Sequence, residues 1–203
     1  MKRKFLDCSL AIIRKNDSTI DDVMLEEIAY GLEGIYLTVT KIVIIFGLAL
    51  ILGIAKEVLL LLVLYNIIRH TAFGLHATKS IYCLISSTIM FVGGVFICEM
   101  IQIILPIKIA IAIFCVICIF KYAPADTEKR PIINPKKRKR LKIISTVSGI
   151  IFTFLIIIFN SHIISNYLLV AMIEAVIMIH PYVYKLFHLS YDNYKKYKVA
   201  ENL

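Results

Sequence analysis

A thiol and an imidazole stand seven positions apart between two apolar runs: Cys83 and His76, inside the stretch RHTAFGLHATKSIYC that runs from Arg69 to Cys83. A thiol is a useful nucleophile only as its thiolate, and a nearby imidazole can take its proton and later hand one to a leaving amine. The chemistry on offer is covalent attack on an acyl carbon. The same residues also have a purely structural reading, with Cys83 a small hydrophobe at a helix start and His76 a loop histidine in the headgroup layer.

Helix geometry constrains the first reading. Seven residues on an unbroken helix rise about 10 Å, too far for a hydrogen bond even though both side chains would share a face. The spacing therefore predicts a non-helical turn at Phe73 to His76, permitted by Gly74, and a new helix that begins between Ala77 and Ile81 and carries Cys83 in its first turns. Thr78 or Ser80 can cap that helix, and Ser80 and Ser86 lie one turn either side of the thiol. His70 is the rival base, thirteen positions from Cys83. The other cysteines, Cys8, Cys98, Cys115 and Cys118, show no disulfide framework, and Cys115 and Cys118 form a C-x-x-C with no paired ligand set beside it, so neither a metal nor a cofactor is expected.

The elements that must position this pair are apolar. The chain has 203 residues, 60% of them hydrophobic, where a soluble domain has about 45 to 50%, and its mean hydropathy is +0.83. An all-α, polytopic membrane helix bundle is expected. The net charge of +9 sits mostly in blocks flanking the apolar runs, which fits anionic headgroups and topology and argues against nucleic acid. Residues 1–30 carry six acidic residues and no long apolar core, so no cleavable signal peptide is expected. Residues 1–36 are read as amphipathic interfacial helices, the second over 18–36 with Ser18 and Asp21 as a capping box and Asp21, Asp22, Glu26, Glu27 and Glu33 as acidic residues.

Six apolar runs follow, at about 37–54, 58–68, 81–102, 103–120, 143–159 and 164–184, and a spanning helix needs about 20 residues. The second run is short, and extending it through Asn66, Arg69 and His70 requires those groups to face protein or water; a re-entrant hairpin with the first run, giving four spans, is the alternative. Pro106 divides the third run from the fourth. Five basic residues precede position 16, Arg69 and Lys79 lie between runs two and three, nine occupy Lys121 to Lys142, and four follow Tyr184. The positive-inside rule then places both termini, the 69–80 loop, the 121–142 loop and the 185–203 tail in the cytoplasm of a single membrane domain.

The motif resembles the signature of the accessory gene regulator B family, AgrB: Arg69, then a Gly-x-His-Ala core at Gly74 to Ala77, then Cys83. A second block, YAPADTEKRPI from Tyr122 to Ile132, is similar to that family's Ala-Pro-x-x-Thr and basic-Pro-Ile segment. The chain departs from the family pattern at Phe73, where a glycine is frequent, and at Lys129-Arg130, where Asn-Lys is more usual. The resemblance implies a bacterial membrane cysteine endopeptidase of quorum sensing that removes the acidic C-terminal tail of a short AgrD-like precursor and closes a thiolactone or lactone ring. Cys83 and His76 would be its catalytic dyad, and Arg69, Ser80, Asp126, Lys129 and Arg130 would position substrate, with Asp126 a candidate to orient His76. The expected partners are that precursor peptide, the lipid bilayer and, as an open alternative, a second copy of the chain in a homodimer. A small polytopic transporter or peptide exporter without covalent chemistry is the competing function, motivated by Lys41, Asn66 and Glu99 inside apolar runs.

Overall fold

The computed structural model describes residues 2–16, 21–75, 80–128, 131–160 and 163–195. Its described residues are mostly helical, and the only extended pairing among them is an isolated parallel bridge between Phe73 and Ala125. They form two compact units, residues 1–52 and 53–203.

The first unit holds α1 (Lys2–Asn16) and α2 (Asp22–Ile51), joined through Phe5 and Tyr36, whose ring centroids are 5.2 Å apart. The stretch expected to be a separate interfacial helix over 18–36 runs without a break into the first apolar run. The reason is local: no proline interrupts it, and an amphipathic pattern that turns wholly apolar keeps the same 3.6-residue period. Asp21 is the N-cap, its carboxylate accepting from the Met24 N–H at 2.7 Å; Ser18 lies outside the described residues.

The second unit opens with α3 (Ala55–Ala72). Its buried residues Val58, Leu61, Tyr65, Ile68 and Ala72 recur at alternating steps of three and four, the stripe that one helix buries against others. That stripe packs on α7 (Pro135–Ile158) and α8 (Ile164–Ile179). The helix α4 (Ser80–Thr88) continues through a π-helical turn at Ile89–Gly93 into α5 (Gly94–Met100). Gly94 permits close packing there, because a β-carbon would stand 2.7 Å from Leu61 of α3 and 2.8 Å from Glu174 of α8. The chain then turns into α6 (Leu105–Tyr122), with Pro106 in its first turn as the sequence requires. A second proline, Pro181, ends α8 and starts α9 (Pro181–Leu186).

Among the described residues, four helical stretches are long and apolar enough to cross a membrane: Met24–Ile51, Ile81–Met100, Leu105–Tyr122 and Pro135–Ile158. The sixteen-residue α8 is apolar but shorter, and α3 carries Lys56, Glu57 and Arg69 within its eighteen residues. The two ends of the second unit differ in kind. At one, Lys108 donates to the Ser165 hydroxyl at 2.6 Å and the Asn166 amide donates to the carbonyls of Cys98 and Ile101. The end of α3, the loop after α6 and the segment after α8 gather at the other.

Candidate functional site

The second end is built on backbone groups. Helix α3 stops at Phe73, whose φ of 57° leaves the helical region, and Gly74 follows at φ 119°. Three inter-element bonds lock this turn: Gly74 N–H donates to the Ala125 carbonyl at 2.8 Å, Ala125 N–H to the Ala72 carbonyl at 2.9 Å, and Leu75 N–H to the Met178 carbonyl at 2.9 Å. Arg69 closes it from within. Its guanidinium donates to the carbonyls of Phe73, Gly74 and Leu75, the last two at 3.2 and 2.6 Å. A planar fork of donors is the side chain that can hold three acceptors of one turn at once.

Of the turn expected at Phe73 to His76, the described part, Phe73 to Leu75, is non-helical; most of the expected helix start between Ala77 and Ile81 lies outside the described residues, and α4 is described from Ser80. Cys83 lies in its first turns, half-buried and outside any disulfide. The start of a helix favours an anion through its unpaired N–H groups and dipole. The Ser86 hydroxyl donates to the Cys83 carbonyl at 3.2 Å, so it is engaged with the backbone. Tyr65, one turn before Arg69 on α3, is buried, its ring 5.4 Å from that of Phe91 in the π-helical turn after α4. His76, with Lys129, Arg130 and the side chain of Ser80, lies outside the described residues, as do Ala77 to Lys79.

Asp126 is at the centre of the same end. It is 1% exposed. One carboxylate oxygen accepts from the Asn193 N–H at 3.0 Å; the other accepts from Tyr194 N–H at 3.0 Å and Ile132 N–H at 3.3 Å and faces Arg138 at 3.5 Å. The carboxylate therefore joins the loop after α6, the start of α7 and the C-terminal segment. Tyr184 adds its hydroxyl, placed to donate to the carbonyls of Ala125 and Asp126 at 3.4 and 3.3 Å. Burial pushes the Tyr184 phenol up, with Arg69 pulling the other way, so it stays a donor. Sequence reasoning did not find Tyr184, Asn193 or the Met178 carbonyl, and it read Arg138 only as one of the basic residues between Lys121 and Lys142. Only Arg138 carried a signal, as a cation that could answer Asp126.

Among the described residues no cluster of three or more His, Cys, Asp or Glu could hold a metal. Cys98, Cys115 and Cys118 are buried among helices, and Cys8, in the other unit, is exposed. Of the four thiols of the second unit, Cys83 alone is not buried.

A helical membrane protein with a tightly bonded end that presents a thiol at a helix start is the class these features define. Residues 7–179 match the family model of accessory gene regulator B, AgrB. A protein of Listeria innocua named AgrB-like is 34% identical over 172 residues, covering 85% of this chain and 84% of that protein. One of Clostridium acetobutylicum, also named AgrB-like, is 28% identical over 179 residues, 88% and 86% of the two chains. The accessory gene regulator protein B of Staphylococcus carnosus is 33% identical over 153 residues, 74% and 78% of the two chains. No solved structure matches. The chain belongs to the AgrB family, and that membership supports a part in quorum-sensing peptide processing.

Proposed function

We propose that the protein is a cysteine endopeptidase and peptide cyclase of the bacterial cytoplasmic membrane, acting on a short AgrD-like precursor. The observation that carries the reading is the position of Cys83, a half-buried thiol in the first described turns of α4, in the same motif as the turn that Arg69 holds. In this mechanism His76 takes the Cys83 proton and the thiolate attacks the scissile carbonyl. A C–S bond forms, the peptide C–N bond breaks, and His76 returns the proton to the departing amine of the tail. A Cys thiol or Ser hydroxyl of the same peptide then attacks the acyl-enzyme, its proton passes through His76 to the Cys83 sulfur, and the ring closes as the C–S bond to the enzyme breaks. Thioester exchange keeps the acyl group activated, which hydrolysis would waste, so the site must exclude water.

Arg69 positions in this reading: with its donors on three carbonyls of the turn, it fixes where the chain leaves for His76. Asp126 likewise acts through the loop and the C-terminal segment it joins. Lys129 and Arg130, with the exposed Lys136 and Lys137, meet the acidic tail of the precursor. Both termini and this end face the cytoplasm, in keeping with the basic residues concentrated there. The test is co-expression with a candidate precursor and mass spectrometry of the products. The parent releases tail and ring, while Cys83→Ala and His76→Ala leave the precursor whole. Processing by Cys83→Ala at the parent rate would overturn the mechanism and favour an exporter without covalent chemistry.

A further inference from the structure

We propose that a cavity at the junction of α6, α7 and the C-terminal segment binds the headgroup of one anionic phospholipid, of the phosphatidylglycerol class. The cavity has a volume of about 520 Å³, within the range of about 300–1,000 Å³ usual for ligand sites. Lys121 and Tyr122 line it from the end of α6, and Tyr191 and Tyr194 from the C-terminal segment. From α7 come Pro135, Arg138, Lys139 and Lys142, at the steps of three and four that put residues on one helix face.

Its charge is positive and partly uncommitted. Four cations, Lys121, Arg138, Lys139 and Lys142, stand against one carboxylate, Asp192, for a net of +3. Asp192 is already answered by Lys195 at 2.5 Å and by Arg138 at 3.6 Å, and Arg138 is further held by Asp126 and by the Tyr194 ring, 3.6 Å from its guanidinium carbon. Among the described residues no carboxylate pairs with Lys121, Lys139 or Lys142. The anion that would complete them is absent from the chain's own described side chains.

Depth in the membrane decides between a lipid and a soluble anion. Both membrane-crossing stretches Leu105–Tyr122 and Pro135–Ile158 end at this cavity, which sets it at headgroup level. Directly below, Ile117 and Phe120 of α6 and Ile143 and Val147 of α7 are exposed apolar side chains. The Lys142 ammonium stands 4.4 Å from the Phe120 ring centroid, so cationic lining and hydrocarbon-facing surface meet at one contact. Acyl chains laid on that surface bring a phosphodiester to the three lysines, and tyrosines at this depth are placed as interfacial anchors. An acidic peptide satisfies the charges but leaves the apolar wall unused.

The full chain in mild detergent, titrated with phosphatidylglycerol or with phosphatidylcholine of the same acyl chains, tests this by native mass spectrometry. One phosphatidylglycerol per chain should survive activation that strips phosphatidylcholine. Lys121→Gln/Lys139→Gln/Lys142→Gln should weaken its retention about tenfold or more, the corresponding Arg triple should retain it, and Lys136→Gln/Lys137→Gln/Lys185→Gln should leave it unchanged. The Arg triple and this control keep the test decisive if the Gln triple is poorly folded. Equal retention of the two lipids, or an equal loss in the control, would overturn the proposal. So would displacement of the lipid by equimolar glycerol 3-phosphate or by a Glu-rich peptide, which would assign the cavity to a free phosphate or to an acidic tail.

Discussion

Arg69 occupies the space that a β-carbon on Gly74 would need, and the same guanidinium donates to the Gly74 carbonyl at 3.2 Å. The two residues specify each other: the fork reaches three carbonyls only because position 74 has no side chain and can hold φ 119°. Met178 presses from the other side, its carbonyl also within clash distance of that β-carbon.

Gly74→Ala is therefore expected to cost about 2 kcal/mol or more, since backbone strain of this type alone costs about 1–3 kcal/mol. Thermal unfolding in detergent measures it. Arg69→Gln should destabilise too, and the double variant should lose less than the sum of the two, because each change removes the partner of the other. Additive losses would show that the two positions do not share one arrangement.

Phe73 gives a second, opposite expectation. Its φ of 57° is unfavourable for a residue with a β-carbon and worst for a β-branched one. Phe73→Gly relieves that strain while giving up the half-buried ring and adding unfolded-chain entropy, so stability should stay within about 1 kcal/mol of the parent. Phe73→Val should fall by about 1–2 kcal/mol or more. The comparison is read from denaturation midpoints of the two variants, with peptide processing measured beside them.

These positions mark where the sequence could and could not be read. The turn at Phe73 to Leu75 and the helix carrying Cys83 follow from a rise of about 1.5 Å per residue and a glycine, and the breaks at Pro106 and Pro181 follow from proline's missing N–H. The partners of the turn do not follow, because the carbonyls of Ala72, Ala125 and Met178 are backbone acceptors that every residue type supplies. Asp126 reads in sequence as a charge in a loop. Two of its N–H donors, from Asn193 and Tyr194, come from 67 and 68 positions away, a separation no local pattern encodes. The continuity of α2 was hidden for a related reason: its composition changes along the chain while its period does not.

Asp126→Ala should be among the most damaging changes outside the thiol site. It leaves the N–H groups of Ile132, Asn193 and Tyr194 without their acceptor and Arg138 without one of its two carboxylates, and an orphaned buried donor costs about 1–3 kcal/mol. A loss above about 3 kcal/mol is expected, with Asp126→Asn milder because it keeps one acceptor oxygen. Limited trypsin digestion gives a local readout: cleavage after Lys195 should accelerate in Asp126→Ala and stay near the parent rate in Phe73→Gly. Unchanged cleavage would mean that the carboxylate does not hold the C-terminal segment.

Thiol reactivity tests the site itself. Cys98, Cys115 and Cys118 are 1, 2 and 5% exposed, and thiols so enclosed meet a reagent only through opening of the packed helices. Cys8 is exposed and must be removed from the comparison. In a Cys8→Ser background, brief treatment with a small alkylating agent should label Cys83 first, on the order of tenfold faster than the other three or more. Mass spectrometry of the digested protein locates the label. If His76 takes the Cys83 proton, His76→Ala should slow that labelling at neutral pH while leaving the three enclosed thiols as they were, and peptide processing should fall in parallel. A His76→Ala protein whose Cys83 labels at the parent rate would separate the imidazole from the thiol, and His70→Ala would then be the variant to compare.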